Sequence, residues 1–466
     1  MKRMMALLGF ALAGNIGAAT PQVGNVTFAP DGVDGRMKIT YTLDAPAIVS
    51  VELRANGERL PAAAAEGLAG AVNRIVPAGT HTVTWNACSG WNGNNAAVTA
   101  RVTASATNSL PLYLAIDLSG GTDASTWPVM YFADEASVPG GVTNKTWKTT
   151  AMLFRRIDPT DSVGFVMGCA YEHASNRHPL REHPVRVWLT KPYYMAVFET
   201  TNAQWVRLGG ADCATDRYYL GSMAPVDKMR YTYVRGSDKG LQWPEVAEPD
   251  DASAAGYFRL RTGLAVDIPT EAQWEWACQA GAGDTVANYD WVVHPDGTKM
   301  LQFSGDNRVH PQYDFDEAGP REVGSFPPNA FGLYDMEGNA WEFARDHYVE
   351  DRRTLANQID PEGPSSTSEA KVVIRGGSYY QGFNGFNAMT GKGQESVTIA
   401  SRHPYGVTQG DSSVTVRFSI DVDGSPASTS VESAPCAVDA RVKTVALSEG
   451  LRIDTLHAMG SLFILR

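Results

Sequence analysis

The chain has 466 residues, and its 19% charged and 10% aromatic residues are typical of a globular rather than a disordered protein. A chain of this length is expected to form about two or three domains. The formal net charge of -12 disfavours nucleic acid as a partner, because an acidic surface repels phosphate groups. Five cysteines are present, and this odd number leaves at least one thiol without an intramolecular partner.

Residues 1–19 have the pattern of a secretory signal peptide. Lys2 and Arg3 form a basic start, residues 4–13 form an apolar run, and the small residues 17–19 offer a cleavage site. No other apolar run is long enough to cross a membrane. We therefore expect an exported protein, secreted or periplasmic, with no membrane span after cleavage. A short uncleaved anchor is the alternative.

Residues 22–106 are predicted to form an all-β sandwich. Apolar and polar residues alternate in four segments: 37–43, 48–55, 80–85 and 97–104. The Asn56-Gly57 pair that follows the second segment predicts a tight turn. Short strands at this spacing favour an Ig-like domain, which would act as a spacer or a docking module.

Three further regions follow the predicted sandwich. Residues 107–150 are expected to be a connector that holds one candidate buried strand, LYLAIDL (112–118). Residues 151–424 are rich in Trp, Gly and Pro, and they predict an α+β fold with little regular secondary structure. Residues 425–466 are predicted to be a polar linker and three short strands, which form a terminal hairpin or complete an earlier sheet.

Two helices in the α+β region are predicted by the pattern Thr-x-x-Gln, at 201–204 and at 270–273. In this capping box the Thr hydroxyl and the Gln amide bind the first free N–H groups of the helix. In the second helix Trp274 and Cys278 are four residues apart, so we expect both to face the core. Gly281 is expected to end this helix.

Five sequence blocks occur in a fixed order within the α+β region. They are GFVMG (164–168), HPVRVWLTKPYYMAVFETTNAQW (183–205), IPTEAQWEWACQAG (268–281), PPNAFGLYDMEGNAWEF (327–343) and IRGGSYY (374–380). Together they resemble the formylglycine-generating enzyme family, whose members are also called sulfatase-modifying factors. The resemblance implies a fold related to C-type lectins, with little regular secondary structure and with bound calcium.

The resemblance places a calcium site in the loop GLYDMEGNAWEF. Its ligands would be the side chains of Asp335 and Glu342 and the backbone carbonyls of Gly338 and Ala340. In an extended segment alternate groups point the same way, and calcium takes six to eight oxygen ligands, so the spacing suits the ion. The alternative is a Gly-centred turn with solvated acids. A second family site, with a less regular match, would use Asn307 and either Asp314 or Asp316.

The catalytic chemistry of the family requires two cysteines that the chain lacks. Formylglycine-generating enzymes bind copper(I), a soft ion, through two thiolates, and they oxidise a substrate cysteine to an aldehyde. Here the first cysteine position falls on Gln381 and the second near Phe386 or Ser396. No cysteine lies between Cys278 and Cys436, so we expect no copper.

A ligand groove without its reactive atoms is the remaining expectation for this segment. Ser378 and Arg402 match cleft residues of the family. The aromatic residues around them favour a groove for a peptide or a glycan, although core packing is an equal explanation for some of them. The predicted groove residues are Tyr379, Tyr380, Phe383, Phe386 and Arg402.

The cysteines and three histidines could form disulfides and a metal site, but free thiols and a loop are also possible. Cys278 matches half of a family disulfide, but the partner position holds Phe418, so we expect a buried free thiol. The remaining possible pairs are Cys169 with Cys213 and Cys88 with Cys436. His173, His178 and His183 are five residues apart, a spacing that suits neither a helix face nor a strand face, so a loop is favoured over a metal site.

The sequence as a whole predicts an exported, non-catalytic binding module of this family, stabilised by calcium and directed at a peptide or a glycan. The alternative function is a formylglycine-generating oxidase that acts on a cysteine of sulfatases. A third and less favoured function is a different oxidative chemistry that uses the histidines.

Overall fold

The computed structural model forms two compact units, which we call unit 1 (Met1–Ser109 with Ser425–Arg466) and unit 2 (Leu110–Gly424). It describes residues 20–465 except for 33–34, 62–66, 88–90, 92–93, 169–179, 211–220, 282–288, 294–298, 304–319, 326, 353–357, 365–369, 379–385, 388–391, 394–399, 411–412, 423–427, 440–443, 447–451 and 457–460. Within this part, no helix is both long and apolar enough to cross a membrane.

Strands dominate the regular structure. In chain order they are β1 Val23–Pro30, β2 Arg36–Leu43, β3 Ala47–Ala55, β4 Glu58–Arg59, β5 Leu68–Gly70, β6 Arg74–Val76, β7 Gly79–Asn86, β8 Asn94–Ala106, β9 Tyr113–Asp117, β10 Val129–Phe132, β11 Ala151–Ile157, β12 Phe165–Met167, β13 Val185–Trp188, β14 Tyr193–Ala196, β15 Ala265–Asp267, β16 Tyr289–Val293, β17 Lys299–Phe303, β18 Trp341–His347, β19 Gln358–Ile359, β20 Lys371–Arg375, β21 Phe386–Asn387, β22 Lys392–Gly393, β23 Arg402–Gly406, β24 Val414–Thr415, β25 Ser419–Asp421, β26 Ser428–Glu432, β27 Cys436–Asp439, β28 Thr444–Ala446, β29 Arg452–Leu456 and β30 Ser461–Leu465. The described α-helices are α1 Asn202–Arg207, α2 Tyr231–Arg235, α3 Ala254–Thr262 and α4 Glu271–Gln279. This secondary-structure content agrees with the expectation of a fold that has few helices.

Unit 1 contains two sheets that share one hydrophobic core. The strand orders are β1-β2-β7-β5 and β26-β8-β3-β4. Alternate residues of β2, β7 and β8 point into the core, which surrounds the fully buried Trp85. The four segments with alternating residues are all strands. Asn56 and Gly57 both have positive φ (53° and 82°), as a two-residue hairpin turn between β3 and β4 requires.

The prediction of a polar linker after residue 424 is wrong in part, because this segment contains strand β26. This strand pairs with β8 from Ser428 opposite Ser105 to Glu432 opposite Arg101, and β27 continues along the same edge. Most side chains of β26 are exposed, so its sequence lacks the apolar alternation that marks a half-buried strand. The last three strands form a separate sheet in the order β28-β29-β30.

The predicted connector at 107–150 contributes two strands to the main sheet of unit 2. That sheet has the order β10-β9-β11-β14-β25-β15. The candidate strand at 112–118 is confirmed as β9, which is buried along most of its length between β10 and β11. A second sheet, β23-β20-β18-β24, carries the loop with the predicted calcium ligands at the start of β18.

Both predicted capping boxes are present. Thr201 and Gln204 exchange side-chain and backbone hydrogen bonds at the start of α1, and Thr270 and Gln273 do the same at α4. Trp274 and Cys278 of α4 are fully buried, as their spacing predicts. The helix ends where Ala280 and then Gly281 adopt positive φ.

Candidate functional site

The loop that precedes β18 is not extended, contrary to the geometry assumed from its sequence. Residues 335–340 form consecutive bends, and Asp335, Gly338 and Asn339 have φ values of 57°, 99° and 60°. The alternation of side chains therefore begins only at Trp341, where the strand starts. The loop owes its shape to specific hydrogen bonds.

Glu199, a residue that sequence reasoning did not select, holds the middle of this loop. Its carboxylate is fully buried and accepts hydrogen bonds from the backbone N–H of Ala340 (3.0 Å) and from the Asn339 side chain (2.5 Å). Asn339 also accepts a hydrogen bond from the backbone N–H of Arg321 at 2.9 Å. These contacts stabilise the left-handed conformation of Asn339.

Glu342 lies at the start of β18 and is bound on both oxygens. The guanidinium of Arg417 contacts both oxygens at 2.6–2.9 Å, and the indole N–H of Trp274 donates to Oε2 at 2.7 Å. Arg417 donates its other N–H groups to the carbonyls of Ala196, Val197 and Tyr334. Every N–H of this buried arginine thus has an acceptor.

Asp335 brings a third carboxylate to the same region. Its Oδ2 accepts a hydrogen bond from the backbone N–H of Gly324 at 2.6 Å, whereas its buried Oδ1 has no partner within the described residues. Burial raises the pKa of Asp335 to about 6, and the charge of Glu342 adds to the increase. Burial, followed by the charges of Asp335 and Glu342, raises the pKa of Glu199 well above its usual value. Burial thus disfavours the ionised forms of Asp335 and Glu199, and a nearby cation would lower both pKa values.

One side-chain oxygen of this loop suits a hard cation such as calcium, whereas both oxygens of Glu342 already accept hydrogen bonds from Arg417 and Trp274. The unpartnered Oδ1 of Asp335 offers a buried oxygen, and a bound cation would offset the repulsion among the carboxylates. Within the described residues, no group of three or more His, Cys, Asp and Glu side chains is arranged to hold a metal ion. A calcium ion here would therefore depend on backbone carbonyls, as the predicted ligands Gly338 and Ala340 require.

A second buried charge cluster lies next to the first and is joined to it by Trp274. The guanidinium of Arg375 stacks over the Trp274 ring at 5.1 Å and pairs with Glu275 and with Glu271. Arg402 binds both oxygens of Glu271 at 2.7 and 2.8 Å. The cluster fixes the end of β20 at Arg375, directly before Gly376.

Glu271 and Asp346 in this cluster have opposite pKa shifts. Burial alone would raise the pKa of Glu271, but the charges of Arg402 and Arg375 outweigh it and lower the pKa to about 2. Burial and then the charge of Glu271 raise the pKa of Asp346 to about 7. Asp346 accepts a hydrogen bond from the backbone N–H of Glu271 at 2.7 Å, so the two carboxylates are held close together.

The raised pKa of Asp346 predicts a pH-dependent stability. The folded state binds this proton more tightly than the unfolded state, whose pKa is about 3.9. The resulting stabilisation is therefore fully present below pH 3.9, and it is lost as the pH rises through 7. Between pH 5 and pH 8 the loss is about 2–3 kcal/mol. Asp346→Asn keeps an oxygen acceptor and removes the titration, so its urea unfolding free energy should fall less over this range.

The exposed Asp158, whose side chain is 64% accessible, provides the matched control. Asp158→Asn should leave the pH dependence of unfolding parallel to that of the wild type. If the Asp346→Asn curve is also parallel to the wild type, the raised pKa is contradicted.

Residues 155–406 match the family profile described as a sulfatase-modifying factor enzyme 1-like domain. The chain belongs to this family. A formylglycine-generating enzyme from Bos taurus is 33% identical over 290 residues, which are 56% of this chain and 74% of the relative. One from Thermomonospora curvata is 36% identical over 118 residues, 24% of this chain and 38% of that one.

The family also contains relatives with other descriptions. An inactive C-alpha-formylglycine-generating enzyme 2 from Bos taurus is 32% identical over 117 residues, which are 24% of this chain and 38% of that relative. Among solved structures, PvdO from Pseudomonas aeruginosa aligns with a TM-score of 0.44 and 18% identity, over 58% of this chain and 94% of PvdO.

The structure changes the interpretation of two residues of the family cleft. Arg402 was expected to line an open groove, but its side chain is 2% exposed and is bound to Glu271 and to the carbonyl of Val349. This arginine neutralises a buried acid, so it is not a surface contact for a ligand. Ser378 is also buried.

Other predicted residues of the family site lie outside the described residues. They are the cysteine position Gln381, the second calcium set Asn307, Asp314 and Asp316, the groove residues Tyr379, Tyr380 and Phe383, and the histidines His173 and His178. Only the backbone of Phe386 is described, in β21. His183 is described and partly buried.

The described cysteines are both free thiols. Cys278 is fully buried, and burial raises its pKa well above the usual value, which confirms the prediction of a buried thiol. Phe418, which stands where the family has the disulfide partner of Cys278, is also fully buried. The centroid of its ring lies 4.9 Å from that of Phe258. Cys436 is a free thiol, and its possible partner Cys88 lies outside the described residues. Cys169 and Cys213 lie outside the described residues.

Proposed function

We propose that this chain is an exported, calcium-stabilised and non-catalytic member of the family that binds a peptide or a glycan. One observation carries the proposal: the family's first copper-binding cysteine is Gln381, and no cysteine occurs between Cys278 and Cys436. Glutamine offers no thiolate, and copper(I) in this family depends on two of them.

The buried charge clusters support the proposal that this chain keeps the fold of the family but lacks its copper chemistry. Arg375, Glu271 and Arg402 form a buried ion-pair network beside the segment that holds the family's cysteine positions, although this chain has no cysteine there. Cys278 does not replace them, because its thiol is inaccessible and lies 3.7 Å from the carbonyl of Met336. The presence of a relative described as inactive is consistent with this proposal.

The strand order of unit 1 supports an Ig-like spacer. In an Ig-like sandwich one sheet has the order A-B-E-D and the other contains G-F-C. The sheets β1-β2-β7-β5 and β26-β8-β3-β4 fit this order if β26 is strand G. Under this assignment, unit 2 is inserted between strands F and G of an Ig-like domain.

The calcium proposal predicts a loss of thermal stability on chelation. Because an ion that binds only the folded state stabilises it, calcium at about 100 times its dissociation constant adds about 2.7 kcal/mol. Removal with EDTA should lower the melting temperature by about 5–10 °C. Asp335→Asn and Glu342→Gln should each reduce this calcium-dependent shift.

Magnesium at the same concentration is the ionic control, since it keeps several waters and favours smaller octahedral sites. A melting curve that EDTA leaves unchanged would count against the calcium site.

Retention of copper(I) tests the proposal that this chain has lost the copper chemistry of the family. Purified protein loaded with copper(I) without oxygen and then desalted in the presence of a bathocuproine chelator should lose all its copper. Retention of about one copper per chain would contradict the proposal. The Cys278→Ser variant shows whether any retained metal is bound to the buried thiol.

A further inference from the structure

A cavity of about 350 Å³ lies at the edge of the main sheet of unit 2 that is formed by β25 and β15. Its wall includes Ala265 of β15, Asp421 of β25 and Arg345 of β18. The volume falls within the usual range of small-molecule sites. None of the described wall residues belongs to the predicted calcium site or to the predicted groove, so this cavity is a separate candidate site.

Arg345 carries a buried donor without an acceptor. The residue is 3% exposed, and no group in the part of the chain that the structure describes accepts a hydrogen bond from its Nη2. Its Nε donates to the carbonyl of Ile268 at 2.8 Å, and its Nη1 donates to Asp421 at 2.9 Å. A buried N–H without an acceptor is uncommon and costs free energy. A ligand that supplies an acceptor to Nη2 would remove this cost.

Arg235 shows that the missing acceptor is not general to this charged region. The two arginines share Asp267, which lies 2.9 Å from Nε of Arg235 and 3.9 Å from Nε of Arg345. The Nη1 and Nη2 of Arg235 donate to the carbonyls of Gly240 and Ala247. All three nitrogens of Arg235 thus have acceptors, and this residue does not line the cavity. The unpaired donor occurs on the arginine that does.

The outer end of the Arg345 guanidinium faces the cavity. Ile268, which accepts from Nε, lies outside the wall, whereas Asp421, which accepts from Nη1, belongs to it. The wall residue Trp243 packs against the guanidinium, whose central carbon lies 4.6 Å from the ring centroid. The indole N–H of Trp243 already donates to the carbonyl of Glu362 at 2.7 Å, so it needs no acceptor from a ligand.

The remaining wall offers few partners to a ligand with many polar groups. Asp421 also accepts a hydrogen bond from the Gln273 side chain at 3.0 Å, and Gln273 is bound to Thr270 in the capping box of α4. Asp360 accepts from the backbone N–H of Thr190 at 2.7 Å. A sugar would bring several hydroxyls into the cavity, and a buried hydroxyl without a partner is costly. Apolar wall residues are Leu189, Pro192, Trp243, Pro361 and Val422.

The charges of the wall favour a neutral acceptor over an anion. The ionisable wall residues are three acids and two bases, namely Asp360, Glu362, Asp421, Lys191 and Arg345. A carboxylate bound to Nη2 would lie close to Asp421, which is already paired with Nη1 of the same guanidinium. A carbonyl oxygen accepts the hydrogen bond without adding charge. The wall therefore suits a carbonyl that is attached to an apolar group.

We propose that this cavity binds an apolar residue of a peptide, one of whose carbonyl groups accepts a hydrogen bond from Nη2 of Arg345. A peptide places a neutral carbonyl directly beside an apolar side chain, which is the combination that the wall requires. The inference deepens the proposed binding function and rests on it, because it gives that function a site and a ligand class.

Saturation-transfer NMR with the N-acetyl amides of valine, leucine, proline and phenylalanine tests the ligand class. At least one amide should give a saturable signal. Replacement of each carbonyl oxygen of that ligand in turn by sulfur, a poorer acceptor, should weaken binding about three- to tenfold at one of the two positions. This comparison leaves the protein unchanged, so a folding defect cannot mimic it. N-acetylvaline, which carries a carboxylate, should bind more weakly than its amide.

Ala265→Trp tests the location of the site. Ala265 is an exposed wall residue of β15, so a large side chain there should occupy the cavity and weaken amide binding about tenfold. Ala133→Trp is the matched control, because Ala133 is an exposed alanine of unit 2 that lies outside the wall, and binding should not change. Melting curves show whether each variant is folded.

Four results would overturn the proposal. They are that no amide saturates, that neither sulfur replacement weakens binding, that folded Ala265→Trp binds like the wild type, and that N-acetylvaline binds more tightly than its amide. None of them alters the copper test. Retention of copper, in turn, would contradict the non-catalytic proposal without changing amide binding here, so the two proposals can fail separately.

Discussion

Truncation after Gly424 is expected to unfold the sandwich of unit 1, although the removed residues follow unit 2 in the chain. Strands β26 and β27 supply the edge of the sheet that contains β8. Val438 of β27 is 1% exposed and belongs to the sandwich core. Without these strands, the backbone groups along this edge of β8 lose their partners and part of the core is exposed to water.

A second truncation provides the control. A chain that ends at Asp439 keeps both strands and should retain a cooperative unfolding transition of unit 1 in urea. The chain that ends at Gly424 should lose this transition and be cut rapidly by protease between residues 20 and 109. If the shorter chain keeps the transition, the two strands are dispensable and their pairing with β8 does not determine the fold.

Substitution of Arg417 by Met is expected to destabilise unit 2 by about 3–5 kcal/mol, because it leaves Glu342 buried and unpaired. The arginine is fully buried and neutralises a region that also holds Asp335 and Glu199. Arg417→Lys should recover little, because a lysine cannot reproduce the two-pronged contact with Glu342 or reach the carbonyls at the same time.

A double variant separates the charge from the packing. Arg417→Met with Glu342→Gln removes both charges, so it should be less destabilised than Arg417→Met alone in urea unfolding. Arg181 pairs with the half-exposed Glu350, and Arg181→Met should cost no more than about 1 kcal/mol. Equal losses for the buried and the exposed arginine would show that Glu342 does not depend on Arg417.

Local signals in the sequence were sufficient for several elements. Thr201 with Gln204 and Thr270 with Gln273 bind within one helical turn, so spacing alone predicts them. The Asn56-Gly57 turn is similarly local. In each case the groups that interact are neighbours in the chain, and the backbone conformation follows from their chemistry.

Contacts between distant segments were beyond such reasoning. Glu199 contacts Asn339, and Arg417 contacts Glu342, only when the sheets of unit 2 bring these distant segments together. No local residue pattern predicts either pair. Both Glu199 and Asn339 lie within the family blocks, which is the one signal that could have selected them. The edge strand β26 was missed because hydrogen bonds, rather than apolar side chains, hold it to β8.

The most direct test of the non-catalytic proposal is aldehyde formation on a substrate peptide. The purified chain would be incubated with copper(I), oxygen and a sulfatase-type peptide that contains the CxPxR motif, with an active formylglycine-generating enzyme as the positive control. Mass spectrometry should find the peptide cysteine unchanged with this chain. Conversion of the cysteine to formylglycine over several turnovers would contradict the proposal.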